Sequence, residues 1–294
     1  MKHPKMQQNL KGLFSATPLV SIIIPFFNRI KFLKESLESV LNQTYKNIEV
    51  ILINDGSVEP WDNSIPIDPR IIFFEKINTG PAAARNLGIA KSHGNYIAFL
   101  DADDLLSSDK IEKQIALMEE SRAALLSHTS YIYIDESGNK LKEIKSGKFR
   151  GQVYPKIFLH SPIATSTVMI RGEIKNLGLR FCEDVRIAED TILWAQIAKI
   201  SPILGLDEPL SKIRIHKNST AKTPELRLRG GYNIYAHGIK KDQNLSGRFG
   251  NIELFLTHLS VAKLYLKNFN PKGFIKNFFL SSKYLLSALV NKNY

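Results

Sequence analysis

Cysteine is almost missing from this chain of 294 residues. The one thiol, Cys182, cannot form an internal disulfide, so stability must come from a packed core, and a reducing cytosol is the natural compartment. The expectation for Cys182 itself is packing as a small apolar side chain. Long hydrophobic runs are missing too. No stretch approaches the roughly 20 apolar residues needed to cross a bilayer. The apolar run at 20–27 is interrupted by Ser21 and Pro25, which marks a buried strand and not the core of a signal peptide. Internal repeats and low-complexity segments are likewise absent. Acidic residues vanish from one end: none occurs from 254 to 294.

That last absence locates the net charge of +12. Residues 217–294 hold thirteen Lys or Arg and three acids (Glu225, Asp242, Glu253), whereas residues 1–216 hold 27 bases and 25 acids. A uniformly basic chain would suggest nucleic acid. A neutral body with a basic tail suggests a docking element.

The first hundred residues alternate strand and helix signals. Strands are predicted at 20–24, 48–53, 71–74 and 96–100. A helix repeats Ile30, Leu33, Leu37, Val40 and Leu41, and another starts at Pro81 with Ala82-Ala83-Ala84. This rhythm predicts an α/β fold with a mostly parallel central sheet and helices on both faces, its ligands at the carboxyl ends of the strands. Further on, 131–134 and 141–144 flank Ser137-Gly138-Asn139 as a hairpin, 167–170 reads as a strand and 190–200 as a helix. After His216 the pattern becomes three helical stretches, roughly 225–242, 251–268 and 272–290.

Polar residues collect where strands end: Pro25-Phe26-Phe27-Asn28, Asn54-Asp55-Gly56-Ser57 and Asp101-Ala102-Asp103. Two carboxylates separated by one small residue can share a hard divalent cation such as Mg²⁺ or Mn²⁺. Alone, the same residues could form a solvated acidic turn. Asp55 could equally make an Asx-turn before Gly56, and Arg85 could pair on the surface with Glu75.

Four motifs in order change the balance. Val-Ser-Ile-Ile-Ile-Pro-Phe-Phe-Asn (20–28), Asn-Asp-Gly-Ser (54–57), Asn-Thr-Gly-Pro-Ala-Ala-Ala-Arg-Asn-Leu-Gly (78–88) and Tyr-Ile-Ala-Phe-Leu-Asp-Ala-Asp-Asp (96–104) closely resemble the inverting glycosyltransferases of family two, which have the GT-A fold. The resemblance covers 20–216 and implies an enzyme of the bacterial cell-surface polysaccharide type. It implies an N-terminal arm (1–18), a GT-A domain (19–216) with a nucleotide half (19–104) and an acceptor half (105–216), and a basic helical extension (217–294).

Carried over by position, the resemblance places Pro25, Phe27 and Asn28 around the nucleotide and Asp55 on the base, usually uracil. It sends Arg85 toward the nucleotide, Asp101 to ribose and metal, and Asp103 to the Mn²⁺ or Mg²⁺ that bridges the diphosphate. Glu189-Asp190 followed by Leu193-Trp194 looks like the family's acidic pair with its aromatic. Asp190 is then the general base, with Glu189 and Trp194 on the diphosphate and acceptor side. Glu183 and Asp184 stay as loop carboxylates. Ile213-Arg214-Ile215-His216, followed by Ser219-Thr220, resembles the family's Arg-x-His segment. His216 would serve the metal or the diphosphate, and Arg214 would balance phosphate charge. The segment 162–167 is expected near the acceptor.

The expected partners are a nucleotide-sugar donor, a glycan or lipid-linked glycan acceptor and an anionic membrane surface, with no nucleic acid. The expected location is the cytoplasm, peripheral at the inner face of the membrane. The membrane expectation rests on 272–290. At about 100° per residue, Lys272, Lys276 and Lys283 cluster within about 40°, while Phe274, Phe278, Leu285 and Leu289 line the other side, widened by Ile275, Phe279 and Leu286. Packing of that stripe on the catalytic domain is the competing expectation. Two rival functions are weaker. A nucleic-acid-binding protein leaves the strand-end acids unexplained. A sugar-nucleotide nucleotidyltransferase needs a Gly-rich loop where Pro25-Phe26-Phe27-Asn28-Arg29 has no glycine.

Overall fold

Strand β1 (Val20–Phe26) is buried along its whole length, as a strand covered by helices on both faces must be. It pairs in parallel with β2 (Ile48–Asn54) on one side and β4 (Tyr96–Phe99) on the other, and β2 pairs in parallel with β3 (Ile71–Glu75). Helices α1 (Ile30–Leu41) and α2 (Pro81–Lys91) make the crossovers. The computed structural model describes residues 17–28, 30–60, 65–216, 223–243, 245, 247–267 and 270–290. The expected N-terminal arm, apart from residues 17 and 18, and Ser219-Thr220 lie outside them.

Successive strand residues face opposite layers. Val20, Ile22 and Ile24 meet Leu33, Leu37 and Val40 of α1 and Ile111, Ile115 and Met118 of α3 (Lys110–Glu120). Ile23, Ile51, Ile53, Ile97 and Phe99 join Ala82, Ala84 and Ile89 of α2 and Leu193, Trp194 and Ile197 of α5 (Glu189–Ile200) in the other layer. Gly88 belongs to this packing: a Cβ there would lie 2.5 Å from Ile23 Cγ2, so α2 can sit this close only without a side chain.

The second half of the sheet is mixed. The remaining strands are β5 (Leu105–Leu106), β6 (Leu126–Ile134), β7 (Lys140–Ile144), β8 (Met169–Arg171) and β9 (Ile203–Arg214). The order is β3-β2-β1-β4-β8-β6-β9-β5, with β7 on β6 as the predicted hairpin partner. The contacts β4–β8, β6–β8 and β5–β9 are antiparallel, and β6–β9 is parallel. Four of the eight pairings are therefore parallel, and the parallel character is concentrated in the first hundred residues. The expected strand at 167–170 begins with a 3₁₀ turn (Thr165–Thr167).

Three helices follow β9: α6 (Pro224–Asn233), α7 (Arg248–Lys267) and α8 (Pro271–Val290), while α4 (Lys156–Leu159) precedes α5. The stretch expected as one helix over 225–242 switches at Ile234 into a π-helical turn that ends at Ile239, with Lys240 N–H donating to Tyr235 O at 2.8 Å. Helix α7 packs on α6, α4 and α8. The face of α8 that is buried carries Asn277, Ser281 and Ala288, whereas Ile275, Phe278, Phe279, Leu285 and Leu286 are exposed. Phe278 and Leu285 of the expected stripe are therefore not packed away, whereas Phe274 is half-buried and the side chain of Leu289 lies outside the described residues. No helix among the described residues is long and apolar enough to cross a membrane.

Candidate active site

The carboxyl ends of β1, β2 and β4 open on a cavity of about 530 Å³. Pro25, Phe27, Asn28, Asp55, Arg85, Asp101, Asp103, Glu189 and Asp190 all line it, so nine of the residues singled out in the sequence converge although they span 165 positions. Phe27 is 48% exposed at the mouth. Asn28 adopts φ 51°, and its Oδ1 accepts the amides of Val58 and Glu59 while its own amide donates to Ser57 Oγ. The turn after β1 is thereby tied to the turn after β2.

Asp55 is buried, and its carboxylate accepts Lys76 Nζ at 2.6 Å and the amides of Thr79 and Gly80 at 3.1 and 2.9 Å. No Asx-turn forms at Asp55 among the described residues; its neighbour Asn54 accepts Ser57 N–H, three residues on, at 2.8 Å. Asp55 thus fixes the Thr79-Gly80 entry to α2, where Gly80 has φ 99°.

Arg85 differs from expectation in its partners. Its guanidinium donates from Nη2 to Asp101 at 2.7 Å and from Nη1 to Glu189 at 2.8 Å, and it does not meet Glu75, which accepts from Asn54. Burial alone would lower the pKa of Arg85, but the two carboxylates more than offset this and raise it. Among the described residues, the cation of the cavity that makes no hydrogen bond or ion pair is Arg186. A single Arg in a loop carries no pattern, so nothing in the sequence singles out Arg186.

Asp103 faces His216, whose Nε2 lies 2.8 Å from Asp103 Oδ2, with Nδ1 3.5 Å from Glu136. Burial and the neighbouring Asp101 charge raise the Asp103 pKa, and His216 partly offsets them. Two carboxylates and an imidazole gathered around crowded negative charge fit a hard divalent cation. Asp104, the last acid of the 96–104 motif, is buried. It accepts Ser166 Oγ at 2.6 Å and Arg214 N–H at 2.8 Å, and burial pushes its pKa well up.

Arg214 and Trp194 depart from the expected roles. The Arg214 guanidinium is buried and spent on Asp103 O, Glu136 O and Glu35, stacked 4.3 Å over the Phe32 ring, so it braces the acidic loop and does not line the cavity. Trp194 is fully buried between Phe99 and Phe181, at ring separations of 5.8 and 5.6 Å. It is a core residue, not part of the diphosphate and acceptor side.

Asp190 is the second residue of α5. The residue before the helix, Ala188, is left-handed at φ 69°, and the acidic pair that follows lines the cavity. Asp190 accepts its own neighbour Thr191 N–H at 2.6 Å and Thr165 Oγ1 at 3.2 Å. Burial first, then the Glu189 charge, push its pKa up to about 6 against the pull of these donors and Arg85. Asp190, Ile187 and Ala188 also line a second cavity of about 660 Å³, whose wall includes Pro162, Ile163 and Ala164 of the segment expected near the acceptor. One carboxylate therefore borders both spaces. On the loop leading to it, Cys182 is half-buried with Sγ 3.6 Å from His237 Nδ1, facing a polar ring and not the apolar packing expected of it, and Glu183 is bound by Asn86 Nδ2.

Comparison with known proteins agrees with this architecture. S. aureus TarS 1–349 in complex with UDP superposes with a TM-score of 0.58 at 16% identity, covering 91% of each chain. The mannosyltransferase PcManGT of Pyrobaculum calidifontis, in complex with GDP-Man and Mn²⁺, gives 0.62 at 15% identity, over 95% of this chain and 77% of that one. The fold is that of the GT-A glycosyltransferases. Residues 21–178 match Glycosyl transferase family 2, and the chain belongs to that family. An uncharacterized glycosyltransferase of Rickettsia bellii is 45% identical over 249 residues, 83% of this chain and 36% of that protein, so this chain spans little more than a third of that relative's length.

Proposed function

We propose that this protein transfers a hexosyl or N-acetylhexosaminyl group from a nucleoside-diphosphate donor, UDP in the first instance, to an acceptor hydroxyl with inversion at the anomeric carbon. The observation that carries this is the position of Asp190 on the wall shared by the two cavities, with the Asp101 and Asp103 carboxylates across the first. In this reading residues 19–216 carry the chemistry and 217–294 form an extension that docks it.

The donor occupies the first cavity. Pro25, Phe27 and Asn28 surround the nucleotide, and Asp55 holds the loop beneath it. Asp101, Asp103 and His216 would hold Mn²⁺ or Mg²⁺, which when bound offsets the charge that develops on the departing diphosphate. Arg186 is a second source of positive charge at the same place. The acceptor hydroxyl enters from the other side, and Asp190 takes its proton as the new bond forms. The pKa near 6 suits this, since the base is ionised at neutral pH yet retains basicity. Asp190 is the carboxylate that borders both cavities, which suits direct displacement with no glycosyl-enzyme intermediate. The deciding experiment is a screen of UDP- and GDP-sugars for nucleoside-diphosphate release with and without Mn²⁺. No release from any donor would sink the proposal.

We further propose a role in cell-surface glycan synthesis at the inner face of the membrane. The support is α8, with Ile275, Phe279 and Leu286 more than half exposed and Lys272, Lys276 and Lys283 exposed beside them. An amphipathic helix of this kind lies in the interface, and each lysine contributes about 1 kcal/mol at low salt. Sedimentation with phosphatidylglycerol vesicles tests it. Protein left in the supernatant at low salt would refute it.

A further inference from the structure

The second cavity is built by the C-terminal helices as much as by the sheet. Glu253, Leu256, Thr257, Ser260 and Lys263 line it from α7, and Arg227, Gly230, Gly231 and Ile234 from α6 and the turn after it. Both sets recur at three- and four-residue intervals, the spacing of one helix face. A Cβ at Gly231 would lie 2.2 Å from Thr257 Oγ1, so the bare backbone is what lets the two helices meet at the base of the cavity. Its opposite wall is Tyr131, Tyr133 and 157–164.

Two oxygen atoms on this lining are buried without a hydrogen-bond partner among the described residues: Ser161 Oγ and Glu253 Oε2. Glu253 is 3% exposed, and its other oxygen accepts Thr257 Oγ1 at 2.8 Å. Leaving such a group unsatisfied costs about 1–3 kcal/mol, and buried polar groups are rarely orphaned without a reason. Burial raises the Glu253 pKa to about 7, so near neutrality much of it is a carboxylic acid that can both donate and accept. A hydroxyl can do the same, which makes Ser161 and Glu253 complementary to a sugar. At the other end, Arg227 and Lys263 are exposed and have no carboxylate partner among the described residues. Ten residues of helix separate Glu253 from Lys263, about 15 Å. That length accommodates a sugar followed by a phosphate group.

We propose that this cavity is the acceptor subsite and that it selects a glycosyl phosphate. Sugar hydroxyls bind Ser161 and Glu253, and the phosphate binds Arg227 and Lys263. The inference rests on the transferase reading above, because Asp190 reaches the acceptor only if the first cavity takes the donor. The phosphate could belong to a soluble sugar phosphate or to a lipid-linked sugar diphosphate, and the shared chemistry is what the residues recognise.

Calorimetry on the full chain tests it in steps. Binding of UDP with Mn²⁺ is measured first, and its absence would overturn the donor reading, not the subsite. With UDP in excess to fill the first cavity, hexose and N-acetylhexosamine 1-phosphates and their farnesyl diphosphate-linked counterparts are then titrated. The expected result is binding of at least one probe, weakened tenfold or more by Arg227→Met with Lys263→Met. Glu253→Gln weakens the same probe, and the unphosphorylated sugar binds less well than its phosphate. Binding of the free phosphates identifies a soluble source, and binding of the farnesyl forms alone a membrane source. If UDP binds and no probe does, or the rim substitutions change nothing, the subsite proposal is wrong. The rim residues are exposed, so their loss does not threaten folding.

Discussion

Arg85 Nη1 lies 2.8 Å from Glu189 Oε1, across 104 positions of sequence, and the same guanidinium holds Asp101. One buried cation therefore joins the strand-end acids to the acidic pair that begins α5. Removing one partner of a buried ion pair costs about 3–5 kcal/mol because a charge is left uncompensated. Arg85→Met is expected to destabilise by that order in urea unfolding. Arg85→Lys keeps the charge but loses the two-armed geometry, and should fall between. An unchanged midpoint for Arg85→Met would mean that the pairing is incidental.

Asp103→Asn preserves shape while removing one of the crowded charges, so the thermal midpoint should stay level or rise slightly. Donor turnover should drop by two orders of magnitude or more, and chelation of divalent cations should bring the unmodified protein to a similar level. Full activity in the presence of chelator would remove the metal from the proposal.

Asp190 must be ionised to accept a proton. Its pKa of about 6 predicts that turnover rises with pH through 6 and levels off above it. Asp190→Asn should bind UDP as well as the unmodified protein does, lose about 10²–10⁴ in kcat and lose the inflection near pH 6. A variant that no longer binds UDP would move Asp190 to the donor side.

Trp194 gives a test of the corrected assignment. Trp194→Ala should cost about 3–5 kcal/mol through the void left between Phe99 and Phe181. Trp194→Phe should cost less, with KM for the donor unchanged. A raised KM at unchanged stability would return Trp194 to the site.

Glu253 makes stability depend on pH. Its folded pKa of about 7 lies above the ordinary 4.5, so the folded state holds the proton more tightly than the unfolded chain. Below pH 4.5 both states are protonated and nothing is lost. Between 4.5 and 7 the unfolded chain releases its proton first and stability falls, by roughly 3 kcal/mol from this group. Glu253→Gln should flatten that slope in urea titrations at a series of pH values and leave the protein more stable at pH 8. An unaltered slope would show that Glu253 ionises freely.

The parallel half of the sheet was legible because its strands are covered on both faces and so read as short, nearly continuous apolar runs, such as 20–24 and 48–53, broken only by Ser21 and Glu49. The pairing of Asp101 with Asp103 was legible for a similar local reason. What escaped was decided at long range. Strand β9 carries Asp207-Glu208-Pro209 in its middle, and its pairing with β6 shifts register around Ser130 and Pro209, so no alternation survives to be read. Trp194 lies four residues after Asp190, on nearly the same helix face. Only the gap between Phe99 and Phe181 turns it inward. Arg214 and Asp104 pair across 110 positions, and a spacing that large has no local signature. Which face of α8 stays uncovered was equally invisible, because Asn277, Ser281 and Ala288 form the unexpected contact side.

The one thiol of the chain has a practical meaning beyond its exclusion of disulfides. Cys182 sits half-buried on the loop that leads into α5, within reach of His237 on the π-helical turn. A maleimide fluorophore or a nitroxide added to the unmodified protein would attach at this single address, with no cysteine to be engineered in or out. The label would report on the junction between the base-bearing loop and the C-terminal helices, so the order in which the two cavities fill becomes a matter of watching one signal over time.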